Sequence, residues 1–120
     1  MAITGAHVLL YTSEPEKLRE LLRDVFGWKH VDAGHGWLIF GLPPAEVGVH
    51  PLDEPGGDTP HHQFTLMCDD ITRTVAELKQ KGVRIAGEPE DRGWGITVVM
   101  NLPGDLDVML YQPRHPVAIA

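Results

Sequence analysis

The sequence predicts an α+β fold in which two tandem βαβββ modules form one cupped, mixed sheet with the helices on its outer face. Three observations lead to this prediction. A strand pattern followed at once by an amphipathic helix occurs twice, beginning at His7 and again at Gln63. Each helix pattern ends at a glycine, Gly27 or Gly82. A Gly-Trp pair and a proline turn then recur in the same order, which is typical of a duplicated unit.

The first module opens with residues 7–12, whose apolar character indicates a strand. Ser13 and Glu16 have the Ser-x-x-Glu spacing of a capping box, which predicts that a helix begins here. The apolar residues that follow recur at helical spacing and form one stripe: Leu18, Leu21, Leu22, Val25 and Phe26. We expect the helix to end at Gly27.

The second module repeats this beginning. Residues 63–68 form the predicted strand, and Asp70 is the predicted N-cap of the helix that follows. Ile71, Val75 and Leu78 form its apolar stripe, and Gly82 is its expected end.

The remainder of each module also corresponds. Three pairs of segments match: Gly36-Trp37 with Gly93-Trp94, Gly41-Leu42-Pro43 with Asn101-Leu102-Pro103, and residues 46–51 with residues 105–109. Each proline segment predicts a turn between two strands. Module one is therefore placed at about residues 5–52, a proline- and glycine-rich linker at about 52–60, and module two at about 61–113, all within one domain of 120 residues.

Composition excludes several classes of protein. The chain is 42% apolar with a formal net charge of −7, so it is expected to be globular and to bind neither nucleic acid nor an anionic membrane. It has a single cysteine, Cys68, and no signal-peptide or membrane-spanning pattern. A cytoplasmic location is the default expectation.

The alternation of side chains along each strand predicts where a binding site lies. Val47 and Val49 are expected to face the helix, as are their counterparts in module two. The opposite, helix-free face is then predicted to carry an unusual set of ligand-type and aromatic side chains: His7, Tyr11, Glu46, His50, Gln63, Asp107, Met109 and Tyr111. A concave site for a small molecule is expected on this face.

Four features of the sequence belong together: the paired βαβββ order, the strand His7-x-x-x-x-Thr12-Ser13, the turn Cys68-Asp69-Asp70-Ile71 and the ending Leu110-Tyr111-Gln112-Pro113. Together they resemble the vicinal oxygen chelate superfamily, which includes glyoxalases, bleomycin-resistance proteins and extradiol dioxygenases. The resemblance covers nearly the whole chain. It implies a site in the cup between the modules and, as in many members, a homodimer.

In metal-dependent members, the first and last strands of each module supply the four ligands of a divalent ion. The matching positions here are His7, His50, Gln63 and Met109. Met109 departs from the usual glutamate, and a thioether is a poor ligand for a hard ion. Asp107, two residues earlier on the same strand face, is one alternative, as an oxygen ligand. His61 or His62, at the start of the fifth predicted strand, is the other. The resemblance thus implies Fe, Mn, Ni or Zn held by His7, His50, Gln63 and Asp107, and no nucleotide cofactor.

Two functional hypotheses follow. The first is a metal-dependent lyase, isomerase or dioxygenase acting on a small oxygenated substrate, with Glu46 as general base and Tyr111 as a donor to a substrate oxygen. The second is a metal-free protein that binds or sequesters a small aromatic or cationic compound. In that hypothesis the cup is lined by Tyr11, Trp37, Trp94, Met109 and Tyr111.

Overall fold

The computed structural model describes residues 6–52 and 59–119. Within these residues it contains two helices and six strands, which confirms the predicted α+β class. In chain order they are α1 (Pro15–Asp24), β1 (His30–Asp32), β2 (Leu38–Phe40), β3 (Thr65–Met67), α2 (Ile71–Gln80), β4 (Arg84–Asp91), β5 (Gly95–Leu102) and β6 (Leu106–Pro113). Neither ten-residue helix is long enough to cross a membrane, and no other helix occurs among the described residues.

Module two forms its full βαβββ unit. Its sheet has the order β3-β6-β5-β4, with β3 parallel to β6 and the other pairs antiparallel. A tight turn joins β5 to β6, and it requires positive φ at Gly104 (81°) and Asp105 (58°). This turn fixes the register, so that Thr97 lies opposite Tyr111 and Asn101 opposite Asp107.

The core lies between this sheet and the two helices. Val98, Met100, Val108 and Leu110 supply the sheet side, and all are buried. Leu18 and Leu22 of α1 and Ile71 and Val75 of α2 cover them. Phe64 and Leu66 also pack against this core, as the alternation predicts.

The helix α1 begins in a different way from the prediction. It starts at Pro15, and its N-cap residue Glu14 makes no side-chain capping hydrogen bond. The prediction of a capping box formed by Ser13 and Glu16 is therefore wrong. Proline suits the first helical turn because its missing N–H needs no partner there. Thr12 connects the two modules instead: its Oγ1 accepts from the Glu14 N–H at 3.2 Å and donates to the Pro103 carbonyl at 2.6 Å.

Module one is less complete than module two. Only the short antiparallel pair β1–β2 forms, and residues 6–12 and 41–52 adopt no strand. Val47 and Val49 are 90% and 96% exposed, so the expectation that they pack against the helix is wrong for the single chain. Pro43 and Pro44 contribute, because each proline restricts the residue before it and has no N–H for a ladder. The predicted linker falls mainly on residues 53–58, outside the described residues.

Candidate functional site

The helix-free side of the module-two sheet presents a surface that we call the cup face. Residues paired across antiparallel strands point to the same side, so Thr97 lies beside Tyr111, and Val99 beside Met109. The parallel neighbour β3 adds Thr65 beside Met109 and Met67 beside Tyr111. The cup face therefore consists of Thr65, Met67, Thr97, Val99, Met109 and Tyr111. Two methionines and an aromatic ring give it an adaptable apolar floor.

Tyr111 is the centre of an aromatic cluster at one end of the cup face. Its ring meets Trp94 nearly edge-on, with centroids 5.6 Å apart and planes at 71°. The centroid of the His115 ring lies 6.0 Å from that of Tyr111, and the Tyr111 hydroxyl is 3.2 Å from His115 Nε2. Trp94 is half exposed. This arrangement leaves an aromatic wall that a ligand on the cup face can reach.

Glu46 approaches this cluster from module one. Its Oε2 accepts a hydrogen bond from the Ala118 N–H at 3.0 Å, so the C-terminal segment holds it. Its Oε1 is buried, and among the described residues no donor lies within hydrogen-bonding distance of it. An acceptor without a donor in a buried position is costly.

The protonation of Tyr111 follows from its surroundings. Burial raises the pKa of the phenol above its ordinary value, and the nearby Glu46 carboxylate raises it further. Both causes disfavour the phenolate. Tyr111 is therefore a neutral hydroxyl at physiological pH, able to donate or accept a hydrogen bond but not to act as a base.

Thr97, one of the cup-face residues, makes a second polar contact. Thr97 is only 4% exposed, and its Oγ1 accepts from Arg92 Nε at 2.9 Å. The guanidinium also donates to Glu90 Oε2 at 2.8 Å. The carboxylate of Glu90 thus balances the charge of Arg92, and the pair contributes hydrogen-bonding groups rather than a net charge.

Comparison with known proteins places this arrangement in a family. The family model described as Glyoxalase/Bleomycin resistance protein/Dioxygenase superfamily matches residues 5–108. The chain belongs to this superfamily. A search of curated proteins found no match to this chain.

Three solved structures are similar over almost the whole chain. An antibiotic binding protein, TnmS3 from Streptomyces sp. CB03234, is 25% identical with a TM-score of 0.64 and coverage of 94% of this chain and 98% of its own. Lactoylglutathione lyase from Agrobacterium tumefaciens is 14% identical, with a TM-score of 0.63 and coverage of 91% and 92%. A superfamily member from Sphaerobacter thermophilus DSM 20745 is 18% identical, with a TM-score of 0.60 and coverage of 92% and 98%. At these lower identities, the latter two support the fold alone.

The four predicted metal ligands belong to four different segments of the chain. His7 is on the 6–12 segment and exposed, and His50 Nδ1 lies 2.6 Å from the Pro51 carbonyl. Gln63 Nε2 donates to Thr65 Oγ1 at 3.4 Å, and Asp107 Oδ1 accepts from Asn101 at 2.9 Å. Among residues 6–52 and 59–119, no three His, Cys, Asp or Glu side chains are grouped closely enough to hold a metal ion.

The predicted ligand-lining residues divide into two groups. Trp94, Met109 and Tyr111 lie on or beside the cup face, and Glu46 reaches the same cluster. Tyr11 is 81% exposed in the 6–12 segment. Trp37 lies under the Arg19 guanidinium of α1 at 4.9 Å, and so contacts the helix rather than the cup face.

Sequence reasoning missed Arg92, Thr97 and His115, whereas alternation along the strand places Met67 on the helix-free face as observed. Thr97 could have been found from the pattern, because the turn at residues 103–105 fixes it opposite Tyr111. Arg92 and His115 carry no such signal. They reach the site because the chain bends at the ends of β4 and β6, and nothing in their spacing marks those bends.

Proposed function

We propose that this protein binds a small, flat, aromatic molecule on the cup face. The observation that carries the proposal is the surface formed by Trp94 and Tyr111 above the thioethers of Met67 and Met109. An apolar floor with an aromatic wall is the usual lining of a site for a flat ligand. Flexible methionines let such a surface adapt to the outline of a ligand.

Polar groups at the edge of this surface orient the ligand. The neutral hydroxyl of Tyr111 is beside His115, and the buried Oε1 of Glu46 needs a donor. We therefore infer a ligand that carries a hydrogen-bond donor or a cationic nitrogen next to its ring. A carboxylate in that position would meet the charge of Glu46 and bind more weakly.

The likeness to an antibiotic-binding protein supports a binding role. TnmS3 is described as an antibiotic binding protein, and it is similar over 94% of this chain. We propose on this basis that the present protein sequesters a compound rather than transforms it.

The proposal is tested with three naphthalene probes that share one ring system: 1-naphthylmethylammonium, 2-acetylnaphthalene and 1-naphthoate. Binding is followed by titration with ¹H–¹⁵N correlation spectra, in which each tryptophan contributes an indole signal. We expect the ammonium probe to bind most tightly, the naphthoate most weakly, and the indole of Trp94 to move. Trp94→Leu should weaken binding, whereas the control Trp37→Leu should not. Equal binding to both variants, or no binding of any probe, would refute the cup-face site.

Metal-dependent chemistry is the second candidate function. It rests on the chemistry of His7 and His50, since imidazole is the commonest side-chain ligand of metal ions. A site with His7, His50 and an oxygen from Gln63 or Asp107 would chelate vicinal oxygens of a substrate. Elemental mass spectrometry on protein purified without chelator tests this, beside a His7→Ala/His50→Ala variant. Stoichiometric Fe, Mn, Ni or Zn that is lost in the variant would favour the enzyme.

We further propose that the protein functions as a homodimer. The first module of the single chain exposes several large apolar side chains: Val8, Leu9, Tyr11, Val31, Val47 and Val49. Exposed apolar surface of this extent on one module indicates a contact with another chain.

A further inference from the structure

A cavity of ≈ 330 Å³ lies inside module one, and none of the cup-face residues lines it. Its lining comes mainly from three parts of the module: residues 6–10, residues 37–42 and the helix α1. The buried side chains of Leu18 and Leu22 form its inner end on α1. Its volume is at the lower end of the range of small-molecule pockets, about 300–1,000 Å³. The cavity is therefore large enough for a small ligand and separate from the cup face.

The lining of this cavity is mostly apolar. Aliphatic side chains come from all three parts of the module: Val8, Leu9, Leu10, Leu18, Leu22, Leu38, Ile39 and Leu42. Val8 and Leu42 are 42% and 40% exposed, so part of the lining is in contact with water. Burial of such side chains under an apolar group is favourable. An alkyl chain suits this space, because it bends to follow a gap bounded by several chain segments, whereas a ring system is rigid.

Arg19 places a positive charge on the same lining. It is half-buried on α1, and its guanidinium carbon lies 4.9 Å from the centroid of the Trp37 ring. Trp37 is 59% exposed, so the guanidinium lies on the solvent side of the cavity. The contact with the indole ring holds the guanidinium in place. Among residues 6–52 and 59–119, no Asp or Glu forms an ion pair with Arg19.

The charges around the cavity favour an anion. The chain contains 17 Asp and Glu residues, yet none of those in the described ranges lines the cavity. The other ionisable side chain of the described lining is His7, which is exposed. Arginine is well suited to a partly buried ion pair, because its guanidinium is weakly hydrated and binds a carboxylate through two hydrogen bonds. An apolar cavity with this one charged group matches a ligand that has an apolar tail and a carboxylate.

We propose that the cavity of module one is a second binding site, which takes a straight-chain aliphatic carboxylate of medium length. The alkyl chain lies among the aliphatic side chains next to Leu18 and Leu22, and the carboxylate binds the Arg19 guanidinium beside Trp37. The two sites of the protein then select opposite charges, since Glu46 disfavours a carboxylate at the cup face. This inference is independent of the ligand proposed for the cup face.

Decanoate tests the location and the charge preference of this site, with 1-decanol and decylammonium as probes of equal chain length. The indole signals of Trp28 and Trp37 report on the cavity, which both residues line, and that of Trp94 reports on the cup face. We expect decanoate to move the first two signals and leave the third. We expect 1-decanol to bind about tenfold more weakly, because it lacks the charged hydrogen bond, and decylammonium more weakly still. A response of Trp94 alone, or equal binding of the three probes, would overturn the proposal.

The length of the alkyl chain tests whether the tail enters the cavity. Hexanoate, octanoate and decanoate are compared by isothermal titration calorimetry. Each buried methylene should tighten binding about fourfold, so each step of two methylenes should give about fifteenfold. Equal affinities across the series would mean that the tail stays in water, and would overturn the assignment of the cavity to the alkyl chain.

Two arginine variants test the partner of the carboxylate. Arg19→Met removes the charge and keeps an apolar stem, so decanoate should bind about tenfold more weakly while 1-decanol binds as before. The control Arg73→Met makes the same change of charge on α2, where the side chain is 79% exposed, and should leave both affinities unchanged. An equal loss of decanoate binding in both variants would mean that the net charge of the protein, and not Arg19, selects the carboxylate.

Filling the cavity gives an independent test. Val8→Trp introduces a large side chain from the 6–10 segment and should abolish decanoate binding, whereas Val31→Trp, at a 66% exposed position outside the lining, should not. Unchanged binding of 1-naphthylmethylammonium at the cup face shows that the filled variant is folded. Decanoate binding that survives Val8→Trp would overturn the proposal. A Trp37 signal that moves on dilution of the protein but not with decanoate would also overturn it, because a second copy of the chain would then cover the cavity.

Discussion

The Tyr111 hydroxyl lies 3.2 Å from His115 Nε2, so the C-terminal segment after β6 returns to the aromatic cluster of the cup face. The contact depends on one oxygen atom. Tyr111→Phe keeps the ring against Trp94 and removes only that oxygen. We expect binding of 2-acetylnaphthalene, whose carbonyl accepts a hydrogen bond, to weaken about fivefold, since one neutral hydrogen bond contributes about 1 kcal/mol.

The titration above measures this change, and a hydrocarbon probe is the control. Naphthalene itself has no acceptor and should bind Tyr111→Phe as well as it binds the original protein. A parallel loss for both probes would mean that the variant disturbs the aromatic wall instead of removing a hydrogen bond.

The hydrogen bond between Arg92 and Thr97 is expected to stabilise the fold at the cup face. Thr97→Val keeps the shape of the buried side chain but removes the acceptor of the Arg92 Nε–H. We expect the free energy of unfolding to fall by about 1–2 kcal/mol, the cost of removing a hydrogen bond to a charged donor. Urea denaturation measures it. Thr72→Val on the exposed surface of α2 is the control, and an equal change in both variants would assign no stability to the Arg92 contact.

Much of module two could be predicted from the sequence because its signals are local. The Pro103-Gly104-Asp105 turn fixes the β5–β6 register, and alternation then places Met109 and Tyr111 on the helix-free face. The contacts of Glu46 with Ala118 and of Tyr111 with His115 could not be predicted, since they depend on the path of chain ends without periodicity. Residues 46–50 have the alternating apolar pattern of a strand, which is why a strand was predicted there. In the single chain it lacks a neighbouring strand, and a pattern alone does not form a ladder.

Titration of the Tyr111 phenol tests whether burial and the charge of Glu46 raise its pKa. The phenol pKa is raised, first by burial and then by the Glu46 carboxylate. In a Tyr11→Phe background the tyrosinate absorbance reports Tyr111 alone. We expect a midpoint above the ordinary value of 10.0, and a lower midpoint after Glu46→Gln. An unchanged midpoint in Glu46→Gln would show that the carboxylate does not act on the phenol.

The sign of the pH dependence of stability follows from this direction. A raised pKa means that, above the ordinary value, the folded chain holds a proton that the unfolded chain has released. The free energy of unfolding therefore falls as pH rises from about 10 through the folded-state midpoint. Tyr111→Phe should flatten that part of the curve. Urea midpoints at successive pH values for the two proteins provide the comparison.

Gly104 joins the two modules and allows a prediction about their contact. It has a φ of 81°, and a Cβ on it would overlap Thr12 Oγ1 and lie 3.1 Å from the Ser13 nitrogen. Its own N–H donates to Glu14 Oε2 at 2.8 Å. Gly104→Ala must therefore push away the segment that leads into α1. Gly87 has a φ of 71° with nothing within 4 Å of a Cβ, so it isolates the backbone strain alone.

We expect Gly87→Ala to lower the free energy of unfolding by about 1–2 kcal/mol, the cost of a left-handed conformation in a residue with a Cβ. Gly104→Ala should cost a further 1–3 kcal/mol or so, as overpacking does. Denaturant unfolding of both variants measures the difference between the two losses. A variant without the Thr12 hydroxyl tests whether the overlap with that oxygen causes it. Because Thr12→Ala removes the overlapping oxygen, it should recover part of the loss in the Gly104→Ala background. Equal losses in the two glycine variants would mean that a side chain at position 104 does not clash with the segment that leads into α1.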